Sequence, residues 1–249
     1  MGTLHLVRHG QASFGAEDYD QLSALGARQC LALGQHYARR GVRFAGVLRG
    51  SLRRHQQSLA AFAEGFAEGA AQGQGALPAA LEWPGLNEYD SEALIRAIHP
   101  GPLARPDTPE AYRLHFRLLR DALTAWMQGR SAPAGMPAYA GWVAGITGAL
   151  DHVRQHHGAD ADAQVLVLSS GGPISTAVGH VLNTPPETTV ELNLRLRNSA
   201  VTELVFTPKR HMLSTFNHVP HLDQPDRAGW ITYACAGPPG RGPARPVRR

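Results

Sequence analysis

Apolar runs of two lengths alternate along the chain and predict alternating strands and helices. Leu4 to Val7 is a short apolar run typical of a buried strand, and Leu22 to Tyr37 repeats apolar residues at helical spacing. The same order returns with a strand over Phe44 to Leu48 and a helix over Leu52 to Phe66. This order of elements predicts an α/β fold with parallel strands.

The segment from Leu86 to Gly135 departs from this alternation. It shows no strand pattern, while Pro109 to Met127 is strongly helical, with Pro109 placed as a first-turn residue. The small residues from Gly65 to Ala80 offer little to pack and predict a loop or a frayed helix end. We therefore interpret 86–135 as a helical insertion.

The alternation resumes in the last third of the chain. Tyr139 to His157 predicts a helix, Gln164 to Leu168 a fully buried strand, and Pro173 to about Leu182 a further helix. Val201 to Phe206 and His211 to Phe216 read as two more strands. The predicted fold is α/β, with a mostly parallel sheet and helices on both faces.

Length and composition fit a single domain. A chain of 249 residues with 43% hydrophobic residues can bury one large core, which we expect over residues 1–235. Residues 236–249 are rich in Gly, Pro and Arg and are expected to fray as a basic tail.

Charge and cysteine usage narrow the class of protein. The formal net charge of +4 comes from arginines scattered among acidic residues and in the tail, and small anionic ligands explain it as well as nucleic acid does. Nucleic-acid binding is disfavoured because aromatic and basic residues do not interleave on one predicted element. Cys30 and Cys235 have no nearby partner at metal-ligand spacing, so we expect free thiols and no metal. The N-terminal residues show no secretory pattern and no window is apolar enough for a membrane span, which predicts a cytoplasmic protein. The oligomeric state stays open, with a dimer as one option.

Three loops carry chemical groups where predicted strands end. They are Arg8-His9-Gly10, the segment from Gly50 to Arg54, and the segment from Ser169 to Pro173. Ligands of such sheets bind beyond the carboxyl ends of the strands, so these loops should converge. A histidine can act as a nucleophile, and guanidinium groups bind phosphate through paired hydrogen bonds.

These segments give the chain a resemblance to the histidine phosphatase superfamily, the phosphoglycerate-mutase-like proteins. The resemblance covers nearly all of the predicted domain and implies a three-layer fold. Because the insertion at 86–135 leaves the alternation of strands and helices, we expect it to lie over the active site. The matching segments are Leu6-Val7-Arg8-His9-Gly10-Gln11, Asp20 to Gln29, Leu52 to Ser58, Leu86-Asn87-Glu88, Val165 to Gly172, Asn198 to Thr202 and His221-Leu222.

The resemblance implies roles for individual residues. His9 resembles the nucleophile that takes the phosphoryl group, Arg8 and Arg54 the phosphate clamps, and Glu88 the acid that protonates the leaving group. Arg53 is the rival of Arg54, and Glu82 and Glu92 are the rivals of Glu88. Ser170 and Gly171 belong to the last phosphate loop. Residues that either line the pocket or face solvent are Gln11, Ser13, Phe14 and His221, and candidate specificity residues in the insertion are Arg96, His99 and Arg105.

Two positions depart from the family pattern. Ser170 stands where the family usually has a second histidine, and Gly50 replaces a usual serine. A serine hydroxyl gives a weaker hydrogen bond to a phosphoryl group than a charged histidine gives, so we expect slow turnover. His218 or His221 is the candidate to fill the gap, and Ser170→His should raise activity if the pocket admits the larger ring.

The sequence thus predicts a histidine-type acid phosphatase that hydrolyses a small phosphomonoester through a phosphohistidine at His9, without metal or cofactor. The alternative is a catalytically weak phosphate-binding or regulatory protein, which the serine at position 170 suggests. A phosphoglycerate mutase is a less favoured reading, because the match near Gln11 is closer to the phosphatase-like members.

Overall fold

The computed structural model describes residues 1–13, 20–71, 76–102 and 108–233. Its strands form one six-stranded sheet in the order β3-β2-β4-β1-β5-β6. The strands are β1 (Gly2–Arg8), β2 (Gly46–Arg49), β3 (Ala80–Glu82), β4 (Gln164–Ser169), β5 (Val201–Phe206) and β6 (His211–His218). The first four run parallel, whereas β5 and β6 are antiparallel to their neighbours. The predicted α/β fold with a mostly parallel sheet is confirmed.

The α-helices of the described ranges surround this sheet. They are α1 (Ala24–Arg39), α2 (Arg53–Gly69), α3 (Ser91–Ile98), α4 (Pro109–Met127), α5 (Tyr139–His157), α6 (Gly171–Leu182) and α7 (Pro186–Arg195). Short 3₁₀ turns lie at Pro84–Leu86, Pro220–Leu222 and Pro225–Trp230. Within the described ranges, no helix is both long enough and apolar enough to cross a membrane.

Side chains of the central strands alternate between two apolar layers. Val165 and Val167 of β4 pack with α5 and α6, while Leu166 and Leu168 pack with α1 and α2. Because alternate residues of a strand point to opposite faces, a strand covered on both sides must be apolar throughout. This requirement explains the uninterrupted apolar run at β4 that the sequence shows.

Local capping fixes where several helices begin. The Ser23 hydroxyl accepts a hydrogen bond from Gly26 N, and the Thr108 hydroxyl accepts one from Ala111 N. Pro109 is the first residue of α4, as its sequence position predicted. Such caps satisfy backbone donors that the first helical turn leaves unpaired.

Two elements differ from the sequence-based expectation. Helix α2 runs to Gly69, and the loop expected up to Ala80 gives way there to β3, which pairs with β2 at the sheet edge. Helix α7 was not predicted at all. A three-residue strand is too short for a periodic pattern, and α7 is partly exposed, so neither has a strong sequence signal.

Candidate active site

Three neighbouring parallel strands bring the three predicted loops together. In the order β2-β4-β1 the carboxyl ends of all three strands lie at one edge of the sheet. His9 N donates a hydrogen bond to Ser169 O at 2.9 Å, and Gly50 N donates to Leu168 O at 3.1 Å. The loops that begin at Arg8, Gly50 and Ser169 are therefore adjacent, at the edge where α/β sheets bind ligands.

His9 is held as one tautomer of a neutral imidazole. Its Nδ1 lies 2.7 Å from Gly10 O, and a carbonyl oxygen only accepts, so Nδ1 carries the hydrogen. Burial, followed by the positive charges of Arg54 and Arg8, lowers the pKa of His9 well below 6.5. His9 is 3% exposed, and its Nε2 is unprotonated and keeps its lone pair.

Gly10 is required by packing against α1. A Cβ at Gly10 would lie 2.3 Å from Gly26 O, and a Cβ at Gly26 would lie 2.2 Å from Gln11 O. Gly10 N also donates to the Ser58 hydroxyl at 3.1 Å. The loop that holds the His9 ring is therefore fixed directly against the backbone of α1 and a side chain of α2.

Both predicted arginine clamps are buried beside His9. The Arg8 guanidinium donates to Leu196 O, and the Arg54 guanidinium lies 2.7 Å from Asp20 Oδ1. Arg54 is 6% exposed, whereas the adjacent Arg53 is exposed. The other carboxylate oxygen of Asp20 accepts from Arg53 N at 2.8 Å. Asp20, which the sequence analysis did not single out, thus orients Arg54 and satisfies the first turn of α2.

Glu88 lies across the site, against the start of α6. Its Oε1 accepts hydrogen bonds from Gly172 N at 3.1 Å and from Tyr89 N at 3.3 Å. Loss of hydration raises the pKa of Glu88, against the lowering effect of the charges on Arg54 and Arg8. A Cβ at Gly172 would lie 2.2 Å from Glu88 Oε1, so only glycine permits this contact.

The rival carboxylates are engaged elsewhere. Glu82 Oε2 lies 2.9 Å from an Arg49 nitrogen, and Glu92 Oε2 lies 2.8 Å from an Arg96 nitrogen. Both glutamates are largely exposed at the surface. Neither carboxylate has the enclosed position of Glu88, whose charge interacts with both arginines of the site.

The last loop holds a residue pair that the sequence analysis missed. Ser170 is fully buried at the N-cap position of α6, and its hydroxyl lies 2.7 Å from Nε2 of His55. Gly171 follows, where a Cβ would lie 2.6 Å from Asn193 Oδ1. His55 directly follows Arg54 in a segment already matched to the family, which is the signal that could have found it.

The other predicted pocket residues make different contacts. The Gln11 side chain accepts a hydrogen bond from the Ser23 hydroxyl at 3.1 Å, and Ser13 is partly exposed. His221 is buried, with Nε2 2.8 Å from the Ser199 hydroxyl. Ser199 N in turn donates to His9 O, so His221 lies behind the backbone of the loop that holds His9. Phe14 lies outside the described residues.

The two histidines expected to replace the missing one make other contacts. His221 Nε2 is engaged by the Ser199 hydroxyl, and His218 ends β6, opposite Val201 of β5. The histidine whose ring contacts Ser170 is His55.

The insertion starts at the site through Tyr89. The Tyr89 hydroxyl accepts from Asn193 Nδ2 at 2.7 Å, which joins the insertion to α7. An aromatic cavity between the insertion, α5 and α7 reaches Gly172, and its lining includes Tyr89, Trp126, Tyr139 and Trp142. That the whole segment 86–135 covers a substrate stays a prediction.

The structure describes two of the three candidate specificity residues of the insertion. The Arg96 side chain is 70% exposed and pairs with Glu92 one helical turn away. His99 is partly exposed, and Arg105 lies outside the described residues. The aromatic cavity borders the site at Gly172.

The buried histidines should make the protein sensitive to acid. Burial lowers the pKa of His55 and of His221 from 6.5 to about 3 in each case. Below pH 6.5 the unfolded chain binds protons that the folded chain does not, so stability present at neutral pH is lost as pH falls. Lowering the pH from 7 to 5 should reduce the free energy of unfolding by about 2 kcal/mol for each histidine.

Urea denaturation at both pH values measures this loss. His221→Gln should remove roughly half of the pH difference that the two histidines cause. An identical pH difference in wild type and His221→Gln would contradict the prediction.

The sheet and the loops at its edge together assign the chain to a structural class. A six-stranded, mostly parallel sheet with these loops at one edge is the phosphoglycerate-mutase-like α/β architecture. The chain belongs to the histidine phosphatase superfamily, branch 1, whose sequence profile matches residues 4–219. The resemblance seen in the sequence is confirmed, and membership supports a phosphatase or mutase type of enzyme. No curated protein matches the chain at a significant level.

Solved structures share the fold at low sequence identity. A phosphoserine phosphatase from Entamoeba histolytica, in complex with phosphoserine, is 18% identical with a TM-score of 0.58, covering 89% of this chain and 100% of that one. A mycobacterial glucosyl-3-phosphoglycerate phosphatase is 21% identical with a TM-score of 0.57, covering 86% and 98%. A phosphoglycerate mutase from Bacillus anthracis is 16% identical with a TM-score of 0.58, covering 88% and 94%.

Proposed function

We propose that the protein hydrolyses a small phosphomonoester through a phosphohistidine formed on His9, without metal or cofactor. The observation that carries the proposal is the hydrogen bond from His9 Nδ1 to Gly10 O at 2.7 Å. It fixes the neutral tautomer whose Nε2 lone pair is free to attack, between two buried guanidinium groups.

In the first step, Nε2 of His9 attacks phosphorus, a P–N bond forms and the P–O ester bond breaks. Arg8 and Arg54 neutralise the charge on the phosphoryl oxygens. Stabilising this charge is the protein's main contribution to a phosphoryl-transfer transition state. Glu88 transfers its proton to the leaving alkoxide oxygen. Its raised pKa supports this role, because the acid form persists to higher pH than in an ordinary glutamate.

In the second step, water attacks phosphorus and the P–N bond breaks. The Glu88 carboxylate accepts a proton from the attacking water, which returns the acid to its starting form. Inorganic phosphate leaves, and His9 returns to its neutral state. The acid-phosphatase type follows from the need for protonated Glu88, since activity should fall as pH rises through the pKa of this carboxyl.

Trapping of the intermediate tests the function. Brief incubation with a ³²P-labelled phosphomonoester, followed by denaturation in alkali, should leave one label per chain on His9, because a phosphoramidate survives alkali and is lost in acid. His156, which is exposed, serves as an internal reference for non-specific labelling. Absence of label on His9 while phosphate is released would exclude the proposed intermediate.

The same experiment addresses the second candidate. A serine in place of the usual histidine at position 170 favours a phosphate-binding or regulatory protein of low activity. Such a protein would bind inorganic phosphate at the arginine pair but would neither take up label nor release phosphate.

A further inference from the structure

Both departures from the family pattern contact one residue, His55. Gly50 lies in the loop before α2. A Cβ added at this position would fall 2.2 Å from His55 Nδ1, so the usual serine would clash with this ring. On the other side of the ring, the Ser170 hydroxyl lies 2.7 Å from Nε2. The two unusual residues are thus the small ones that leave room for an imidazole between them.

This imidazole lies inside the candidate active site. His55 is fully buried at the start of α2, directly after the clamp residue Arg54. The centroids of the His55 and His9 rings are 5.9 Å apart, which leaves no room for another layer of residues between them. The charge of a protonated His55 would also lower the pKa of His9.

We propose that His55 is a positioning residue which acts through Ser170 and supplies the hydrogen-bonding function of the second histidine. This inference rests on the proposed phosphatase function. In this arrangement His55 Nε2–H donates to the Ser170 hydroxyl oxygen, and the Ser170 hydroxyl donates its own hydrogen to an oxygen of the phosphoryl group.

The surroundings of the ring favour this tautomer. Among the described residues, His55 Nδ1 is buried and has no hydrogen-bond partner. A hydrogen on Nδ1 would be an unsatisfied buried donor, so the hydrogen is better placed on Nε2, where Ser170 accepts it. Burial, then Arg54 and Arg49, lowers the pKa of His55 to about 3, which keeps the ring neutral at pH 7.

The hydrogen bond makes Ser170 a better donor than an isolated serine. A hydroxyl that accepts one hydrogen bond is polarised and donates the next one more strongly, most of all in a low-dielectric site. It also fixes the hydroxyl rotor in advance, which is what effective stabilisation of a transition-state anion requires.

The contact also changes the expectation for Ser170→His. An imidazole on residue 170 that points along the serine side chain would enter the space of the His55 ring, because the hydroxyl is already 2.7 Å from Nε2. Alone, this change should crowd the site and lower activity. Combined with His55→Ala, it moves the imidazole from α2 to the loop after β4.

A pair of variants of similar size separates hydrogen bonding from packing. His55→Gln keeps an amide donor near the Nε2 position, and His55→Leu fills the space without one. With 4-nitrophenyl phosphate, His55→Leu should lower kcat by about tenfold or more, approaching the hundredfold typical of a lost transition-state donor. His55→Gln should retain kcat within about threefold, and KM should change by less than about threefold in both variants.

The second test moves the imidazole from position 55 to position 170. His55→Ala and Ser170→His should each be at least about tenfold less active than wild type, while the double variant returns to within about tenfold. Thermal unfolding of each variant shows whether it is folded. Should the double variant fail to fold, the Gln and Leu pair decides.

The outcomes separate this inference from the proposed function. Wild-type kcat in His55→Leu, together with an inactive His9→Ala, would overturn the role of His55 and leave the phosphatase intact. Full activity in His9→Ala would overturn the function itself. Orthovanadate, a mimic of the transferring phosphoryl group, gives a readout without turnover: its binding should weaken about tenfold in His55→Leu and stay within about threefold in His55→Gln.

Discussion

Replacing His9 with alanine should abolish phosphatase activity while the chain stays folded. The nucleophilic route disappears with the imidazole, so the rate with 4-nitrophenyl phosphate should fall at least about a thousandfold. His9 is neutral in the folded protein, and its removal leaves no buried charge without a partner. Hydrolysis rates measure the first expectation and thermal unfolding followed by circular dichroism measures the second.

A second variant isolates chemistry from structure at this position. His9→Asn keeps a side-chain N–H that can donate to Gly10 O, as Nδ1 does in the wild type, but it offers no nucleophile. We expect it to be as inactive as His9→Ala. Activity near the wild-type level in either folded variant would contradict the assignment of His9 as nucleophile.

Glu88→Gln should discriminate between leaving groups. An alkyl phosphate releases a strongly basic alkoxide, so loss of the acid should slow its hydrolysis by about a hundredfold or more. An activated aryl phosphate hardly needs the proton and should lose less than about tenfold. The glutamine oxygen can still accept from Gly172 N and Tyr89 N, which keeps the loop in place.

The rate of alkyl phosphate hydrolysis should also depend on pH through Glu88. Burial raises the pKa of Glu88, and the protonated form is the one required, so alkyl phosphate hydrolysis should fall as pH rises through this pKa. The fall should be absent in Glu88→Gln. Glu92→Gln, which changes an exposed carboxylate, should keep the wild-type profile. Equal losses with alkyl and aryl substrates would argue against an acid role.

Much of the fold could be predicted because its signals are local. The apolar run of β4 and the helical period of α5 each occupy one stretch of chain, and both were predicted nearly to the residue. The strand β3 and the helix α7 were not predicted. β3 has only three residues and α7 is partly exposed, so neither shows a strong apolar period. The pairing of β3 with β2 depends on a hydrogen-bond ladder across the sheet, which local sequence does not show.

The candidate site divides in the same way. Arg8 ends β1, His9 follows it directly, and Arg54 lies in the first turn of α2, so their approximate places could be predicted from the chain itself. Asp20 is separated from Arg54 by 34 positions, and His55 from Ser170 by 115. Nothing in the sequence near either residue indicates its partner. The sequence does not distinguish His218, His221 and His55 as partners of Ser170, and the structure places His55 there.

Most of the order of strands and helices, the resemblance to the family and the loop that holds His9 could be predicted from the sequence alone. Periodicity and strand-end position are properties of neighbouring residues, and they are visible without a structure. Which histidine lies beside Ser170, and why residue 50 must be small, became clear only from the folded structure. Those answers depend on distances between α2 and the loop after β4, which are set when both helical layers pack on the sheet.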